Sequence, residues 1–233
     1  MAMRKAALLS LVLLAWPIGA AAKTPILVEL FTAQGCGACR DANSYLAKLA
    51  ERPGVLALTF SVDYWDYLGW TDTFARPEYA ERQRAYVTRL KLREPYTPQV
   101  VVDGRDEVQG QKTAEVDRLV RVAASAPHNP PDIRFVGGRR VDVGSGRVAR
   151  GGAEVWLIRY DPRAVEVAVK AGDNRGETVS QKNVVRQIKR LGLWRGRPVA
   201  FRLPAAADEG LKTVVVVQTP KGGRILGFGQ PKA

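Results

Sequence analysis

The sequence predicts an α/β fold in its first half and a β-rich, sandwich-like domain in its second half. The apolar run Ile26–Phe31, interrupted only by Glu29, indicates a strand buried on both faces. A helical pattern separates it from a second apolar run, Val55–Val62, and this order implies a right-handed parallel crossover. Beyond the prolines at 127, 130 and 131, short turn-bounded runs rich in valine and isoleucine indicate a β-sandwich.

The first 22 residues have the pattern of a secretory signal peptide. Arg4 and Lys5 give a positive start, and the apolar run Ala6–Trp16 is too short to span a bilayer. Ala20–Ala22 offers a cleavage site before Lys23; an uncleaved membrane anchor is the alternative. We expect a bacterial protein that is periplasmic or secreted, with a thiol-bearing α/β domain at 23–127 and a β-rich domain at 128–233. The mature chain has no second long apolar stretch, which predicts no transmembrane segment.

The chain is strongly basic, with a formal net charge of +13. Loss of the signal peptide lowers it to about +11, which indicates either a solvated basic surface or attraction to anionic membranes and acidic proteins. No nucleic acid is expected as a partner of an exported protein. The basic stretch 182–197 also lacks the interleaved aromatic side chains of a nucleic-acid groove.

Periodicity and turn signals predict the other elements. In the first domain these are a helix over 42–49 that Pro53-Gly54 ends, a helix from Pro77, a strand over 99–102, a hairpin turn at Asp103-Gly104, an edge strand through Val108, and a last helix capped by Thr113. In the second domain, strands are predicted at 133–136, 153–160, 165–170, 199–203, 214–218 and 225–228. Residues 184–191 fit a helical stripe or a strand, and the neighbourhood favours a strand.

Cys36 and Cys39 are the only cysteines, and their spacing is that of a redox pair or a metal site. At a helix start, unpaired N–H groups and the positive dipole end favour the thiolate of Cys36, which can then attack a disulfide. Cys39, one turn on, can resolve the mixed disulfide. An inert disulfide contributes only about 2 kcal/mol through so small a loop. A Cu(I) site lacks obvious further ligands, since the only histidine, His128, lies at the domain boundary. We predict neither a cofactor nor a resident metal.

The redox interpretation carries a geometric condition. Cys36 has to lie exposed at the amino end of its helix, where substrates can reach the sulfur. A sulfur sealed in apolar packing, or two sulfurs that point into different regions, would contradict the redox interpretation and favour a binding module that lost turnover.

Three further residues are candidates for the site. Thr97 and Pro98 precede a predicted strand, and the Thr97–Pro98 bond is a candidate for a cis peptide; an ordinary trans-proline that opens a strand is the alternative. Glu29 is predicted in a buried strand, where an unpaired carboxylate is costly, so it is a candidate proton acceptor for the resolving thiol. The alternative is that this strand is an edge and Glu29 is hydrated.

The aromatic stretch 63–70 follows the second strand at the same sheet edge as the cysteine pair. Its aromatic residues form either a wall that receives an extended polypeptide or a small satellite core beneath the loop. The aromatic candidates are Tyr64, Trp65, Tyr67 and Trp70. Asp63 and Asp66 are expected to cap or orient the loop.

The stretches 28–39, 62–70, 81–86 and 96–104 resemble an uncharacterised secreted bacterial family, the domain of unknown function 1223, and so do 173–176 and 183–186. The resemblance implies a thioredoxin-like fold and supplies no substrate. Ile26–Phe31 is also similar to the strand before the active site of thioredoxin, with Glu29 near that protein's buried acid. Gly35 and Ala38 stand where thioredoxin has tryptophan and proline, and one extra residue precedes the first cysteine.

Together these features predict an exported thiol–disulfide oxidoreductase that acts on proteins carrying thiols or disulfides and needs a redox partner. Cys36 attacks and Cys39 resolves, while Glu29 moves protons. Thr97 and Pro98 dock the substrate backbone. The alternative is a thioredoxin-fold binding module or copper chaperone without turnover.

Overall fold

The computed structural model describes residues 25–206 and 209–231 and shows a mixed α/β protein with two sheets. Its first elements are β1 Ile26–Thr32, α1 Cys39–Leu49, β2 Val55–Ser61, α2 Pro77–Arg89, β3 Gln99–Val102, β4 Asp106–Gln109 and α3 Thr113–Ser125. They are followed by β5 Ile133–Val136, β6 Arg140–Val143, β7 Ala153–Ala168, β8 Thr178–Trp194, β9 Val199–Arg202, β10 Lys212–Gln218 and β11 Ile225–Gly229. The predicted signal peptide lies outside the described residues. Within them, no helix is long and apolar enough to cross a membrane.

The larger sheet has eight strands in the order β11-β10-β7-β8-β2-β1-β3-β4. β1 and β2 are parallel, as the predicted crossover requires, and β3 is antiparallel to β1. β8 joins β2 in parallel at the pair Thr59 and Val184. Strands from both sides of the predicted boundary at 127/128 therefore share one sheet.

Alternating side chains of the larger sheet build separate cores on its two faces. Leu27 and Phe31 of β1 pack with α2, whereas Val28 and Leu30 pack with α1 and α3. The three-stranded sheet β5-β6-β9 packs over β7, β8 and β10, where the fully buried Trp194 donates to the carbonyl oxygen of Gly144 at 2.9 Å. The sheet is thus covered on both faces, which explains why β1 is buried along its whole length.

The β7–β8 hairpin is longer than the sequence predicts. β7 joins two predicted runs into one strand of 16 residues, with register shifts along its pairing with β8. Residues 184–191 lie within β8, so the strand interpretation is confirmed. The predicted cap at Thr113 is wrong: α3 begins at Thr113, Lys112 is the N-cap, and no side chain caps that end.

The predicted hairpin turn at Asp103-Gly104 is confirmed. Both residues have positive φ, 50° and 62°, the combination that a type I′ turn requires. A side chain at Gly104 would collide with the carbonyl oxygen of Gly223, so this position needs glycine.

Glu29 is fully buried in β1 and forms an ion pair with Arg82 of α2. Arg82 Nε and Nη2 donate to its two carboxylate oxygens at 2.6 and 3.1 Å, and the Tyr86 hydroxyl donates to it as well. Gln218 of β10 accepts from Arg82 Nη1 at 3.1 Å and donates to Tyr86 at 3.0 Å. Burial raises the pKa of Tyr86 well above 10, which keeps the hydroxyl proton for this bond. The cluster therefore ties β1, α2 and β10 together.

We expect Arg82→Met to lower the free energy of unfolding by about 3–5 kcal/mol, because it leaves Glu29 buried without a counter-charge. Urea unfolding followed by circular dichroism measures the change. The double variant Glu29→Gln/Arg82→Met should recover much of the loss, and Arg84→Met, at an exposed position of α2, should change stability by less than about 0.5 kcal/mol. Equal stability of the Arg82 and Arg84 variants would contradict the role given to the pair.

Candidate functional site

Cys36 and Cys39 form a disulfide just beyond the carboxyl end of β1, with their Cα atoms 5.4 Å apart. Cys39 is the first residue of α1, and its N–H donates to the Cys36 carbonyl oxygen at 3.1 Å. Cys36 therefore lies in the turn that precedes the helix rather than at the helix start itself.

The expected exposure of Cys36 is wrong. Cys36 is 1% exposed and Cys39 0%, and both belong to the apolar cluster on the α2 face of the sheet. Half-buried Trp65 packs against the same cluster. The intervening Gly37 and Ala38 are exposed, so the pair lies just under the surface. Sequence reasoning missed this burial because long-range neighbours cover the cysteines.

The Thr97 side chain contacts Cys36, the candidate nucleophile, directly. Its hydroxyl donates to Cys36 Sγ at 3.3 Å, and Trp65 Nε1 donates to the same hydroxyl oxygen at 2.7 Å. An indole N–H can only donate, so Thr97 accepts from Trp65 and keeps its own hydrogen for the sulfur. After reduction, this hydrogen bond would favour the charged form of Cys36.

The Thr97–Pro98 peptide bond is cis, as predicted. Thr97 is half-buried, and among the described residues its backbone N–H and C=O have no hydrogen-bond partner. Gln83 of α2 holds the preceding residue by donating to the Tyr96 carbonyl oxygen at 2.8 Å, and it also donates to Gln99 at 2.9 Å. The backbone of Thr97 is thus fixed beside Cys36 with its polar groups free.

The aromatic loop is partly anchored and partly open. Tyr64 donates to Gln83 at 3.1 Å, and burial raises the pKa of Tyr64 to about 12. Trp70 Nε1 donates to Gln34 Oε1 at 2.9 Å. Tyr67 is 79% exposed and stacks on Trp65 with ring centroids 6.5 Å apart. Tyr64 and Trp65 pack against the core, whereas Tyr67 is exposed at the surface.

Asp72 organises the loop and was not among the sequence candidates. Its Oδ2 accepts from the backbone N–H of Gln34 at 2.7 Å, and its Oδ1 accepts from the N–H groups of Phe74 and Ala75 at 2.9 and 3.2 Å. Asp66 orients the loop as expected, since its Oδ1 accepts from the Asp72 N–H at 3.1 Å. An aspartate whose side chain bonds to the N–H groups two and three residues on is a local turn signal that could have identified Asp72.

The turn between β7 and β8, residues 169–177, lies against the loop that carries the cysteine pair. Asn174 is 2% exposed and its Nδ2 donates to the carbonyl oxygens of Gln34 and Cys36 at 2.8 and 2.9 Å. The Asp173 N–H donates to the Gly35 carbonyl oxygen at 3.2 Å. We call residues 169–177 the hairpin tip; the sequence resemblance at 173–176 marked this segment without indicating what it contacts.

Glu29, predicted to move protons, makes no hydrogen bond to either cysteine among the described residues. Among the described residues, the hydrogen bonds of its carboxylate go to Arg82 and Tyr86. In the same part of the chain, no group of three or more His, Cys, Asp or Glu side chains is arranged to hold a metal ion.

Comparison with known proteins supports the family resemblance. A family model described as protein of unknown function (DUF1223) matches residues 27–218. The chain is similar to a protein of known crystal structure from Agrobacterium tumefaciens, with 32% identity, a TM-score of 0.73, and coverage of 91% of this chain and 95% of that one. It is also similar in fold to HBP35 of Porphyromonas gingivalis, with 11% identity, a TM-score of 0.59, and coverage of 91% and 76%. No curated protein matches the chain.

We expect Thr97→Val to move the pH midpoint of Cys36 alkylation upward in the reduced protein, because the variant removes a donor to the sulfur. At neutral pH the reaction should slow about three- to tenfold. Iodoacetamide labelling followed by mass spectrometry across a pH series measures both quantities. A change in access alone would scale the rate at every pH and leave the midpoint in place.

Thr88→Val, at an exposed position of α2, is the matched control and should behave as the unaltered protein. An unchanged midpoint in Thr97→Val would contradict the role of the hydroxyl.

Proposed function

This chain belongs to the family of proteins of unknown function DUF1223, and we propose that it is a thioredoxin-like protein that exchanges disulfides with other proteins. One observation carries the proposal. A Cys36–Cys39 disulfide follows a buried strand, and the hydroxyl of Thr97, next to a cis-proline, lies 3.3 Å from Cys36 Sγ.

The arrangement of residues 25–125 supports a thioredoxin-like fold for this part of the chain. Four neighbouring strands have the order β2-β1-β3-β4, and β3 and β4 are antiparallel to each other. α1 and α3 cover one face of these strands, and α2 covers the other. The cysteine pair precedes α1 at the edge of the sheet where parallel strands end, which is where open α/β sheets bind their ligands.

The exchange reaction conserves electrons and protons as follows. A substrate thiolate attacks Cys36 Sγ, the Cys36–Cys39 bond breaks, and Cys39 leaves and is protonated. A second substrate thiolate then attacks the substrate sulfur of the mixed disulfide, so a substrate disulfide forms and Cys36 leaves and is protonated. Two electrons and two protons pass from the substrate to the cysteine pair. The reverse sequence reduces a substrate disulfide, and a second thiol- or disulfide-bearing protein restores the pair.

The surrounding residues divide into two roles in this proposal. Thr97 donates to the leaving or attacking sulfur, and its free backbone groups beside Pro98 pair with an extended substrate segment. Trp65 orients the Thr97 hydroxyl, while Tyr64 and Trp70 support the loop from which exposed Tyr67 meets the substrate. We assign Glu29 to the stability of the fold rather than to proton transfer, since Arg82 and Tyr86 occupy its carboxylate.

A non-catalytic binding module, or a copper chaperone without turnover, is the second candidate. The observation that favours it is the burial of both cysteines, at 1% and 0% exposure, in an apolar cluster. A disulfide that no substrate reaches serves only to close the turn before α1.

Export is part of the proposal, because the cytosol keeps most thiol pairs reduced whereas compartments outside it permit disulfides. Expression in a bacterium with a periplasm should yield a mature protein that begins at Lys23, identified by N-terminal sequencing of the periplasmic fraction. Recovery of the uncleaved chain in the cytoplasmic fraction would contradict export.

A trapping experiment separates the two candidates. Cys39→Ala removes the resolving thiol, so mixed disulfides on Cys36 should accumulate and run as high-mass, reductant-sensitive bands. The matched control is the double variant Cys36→Ala/Cys39→Ala, which should form none. If the Cys39→Ala protein remains unmodified in the exporting cell, the exchange function is wrong and the binding module is favoured.

A further inference from the structure

We propose that the hairpin tip is a latch over the exchange site, and that Asn174 is the positioning residue that holds it closed. The inference rests on the proposed function and adds a determinant of access: substrates react with Cys36 only when the tip moves away.

Asn174 makes two side-chain hydrogen bonds to the cysteine loop. Its side-chain amide has two N–H groups, and both are used, one on the carbonyl oxygen of Gln34 and one on that of Cys36. Asp173 donates its backbone N–H to Gly35, which lies between these two residues. Three successive carbonyl groups of the cysteine loop are therefore held by two successive residues of the tip.

These hydrogen bonds act on the residue that carries the reactive sulfur. Exchange requires an incoming sulfur to approach Cys36 Sγ in line with the bond that breaks, and Cys36 is 1% exposed. Tip and cysteine loop pack closely, because a Cβ atom built at Gly172 would lie 3.3 Å from Gly35 Cα, and one built at Gly37 would lie 3.2 Å from the Asp173 Cβ atom. Cys36 is thus held through its carbonyl group by Asn174 and through its sulfur by Thr97.

The base of the hairpin is fixed to the sheet. Thr59 donates to the Lys182 carbonyl oxygen at 2.6 Å, and Asn183 donates to the Ala57 carbonyl oxygen at 2.7 Å. β10 accompanies β7 only as far as Tyr160.

The far half of the hairpin is much less constrained. Residues 164–168 of β7 pair only with β8 in the described part of the chain, and the register shifts between Asp161 and Ala164. Most tip residues are exposed, and the ion pair between Arg40 and Glu177, at 3.3 Å, is half exposed and therefore weak. Segments with few buried contacts open locally at low cost. Val169 is the other buried residue of the tip, and the hydrogen bonds from the tip to the cysteine loop are those of Asn174 and Asp173. The geometry thus combines a fixed base with a largely exposed tip that these bonds hold to the cysteine loop.

Alkylation of the reduced protein tests the latch without requiring turnover. Asn174→Ala removes both hydrogen bonds and should speed the reaction of Cys36 with iodoacetamide about tenfold or more at each pH. The rate of reaction with a bulky maleimide should rise by at least the same factor as the rate with iodoacetamide, since the maleimide needs a wider opening. Asn174→Asp keeps the volume but cannot donate to the two carbonyl groups, so it should behave in the same way.

Arg175→Ala is the matched control, at an exposed position next to Asn174, and its rates should stay within about twofold of the unaltered protein. Thermal unfolding of all variants separates loss of the latch from loss of the fold. Rates that do not differ between the Asn174 and Arg175 variants would overturn the latch.

Hydrogen exchange of the unaltered protein supplies a test without substitution. The Asp173 amide, which donates to Gly35, should exchange by a local opening that is insensitive to low denaturant, whereas amides in the centre of β8 exchange only through larger unfolding. Exchange of Asp173 only through global unfolding would overturn the latch. If alkylation is faster in Asn174→Ala but the Cys39→Ala protein forms no mixed disulfides, the latch is supported and the exchange function is refuted.

Discussion

The buried ion pair between Glu29 and Arg82 is the constraint on which the rest of the site depends. A carboxylate in the middle of a sheet covered on both faces is tolerated only with a counter-charge and hydrogen bonds, and α2 supplies both. Arg82 thereby fixes α2 against β1. The next residue, Gln83, then donates to the Tyr96 carbonyl oxygen and accepts from the Tyr64 hydroxyl. The position of the segment that touches Cys36 is in this way linked to the centre of the core.

The larger sheet contains strands from both halves of the chain, and this has the greatest consequence for function. β8 lies beside β2 in this sheet, and the tip of the β7–β8 hairpin is hydrogen-bonded to the loop that carries the cysteine pair. The tip and the aromatic loop both bond to the loop that carries the cysteine pair, through Asn174 and Trp70 respectively. The second half of the chain therefore belongs to the site. It contributes Asn174 and Asp173 as well as Gln181, which donates to the Ser61 hydroxyl at 3.3 Å.

Much of the fold follows from local patterns. The strand before Cys36, the helix after it, the hairpin turn at Asp103-Gly104 and the cis bond at Thr97–Pro98 were all predictable, because each depends on periodicity, on turn chemistry or on its place in the element order. The burial of Glu29 was predictable too, but its partner was not. Arg82 lies 53 positions away, and its helical pattern does not distinguish a charge that faces the core from one that faces water.

The order of the elements and the spacing of two cysteines one turn apart follow from local sequence, since both are set by neighbours within a few residues. The burial of Cys36 arises only when the chain folds, because the residues that contact it come from distant segments. Asn174 binds the Cys36 carbonyl group across 138 positions, and Thr97 reaches its sulfur across 61. Such contacts depend on which strands become neighbours in the sheet, and that is settled by the packing of the whole chain.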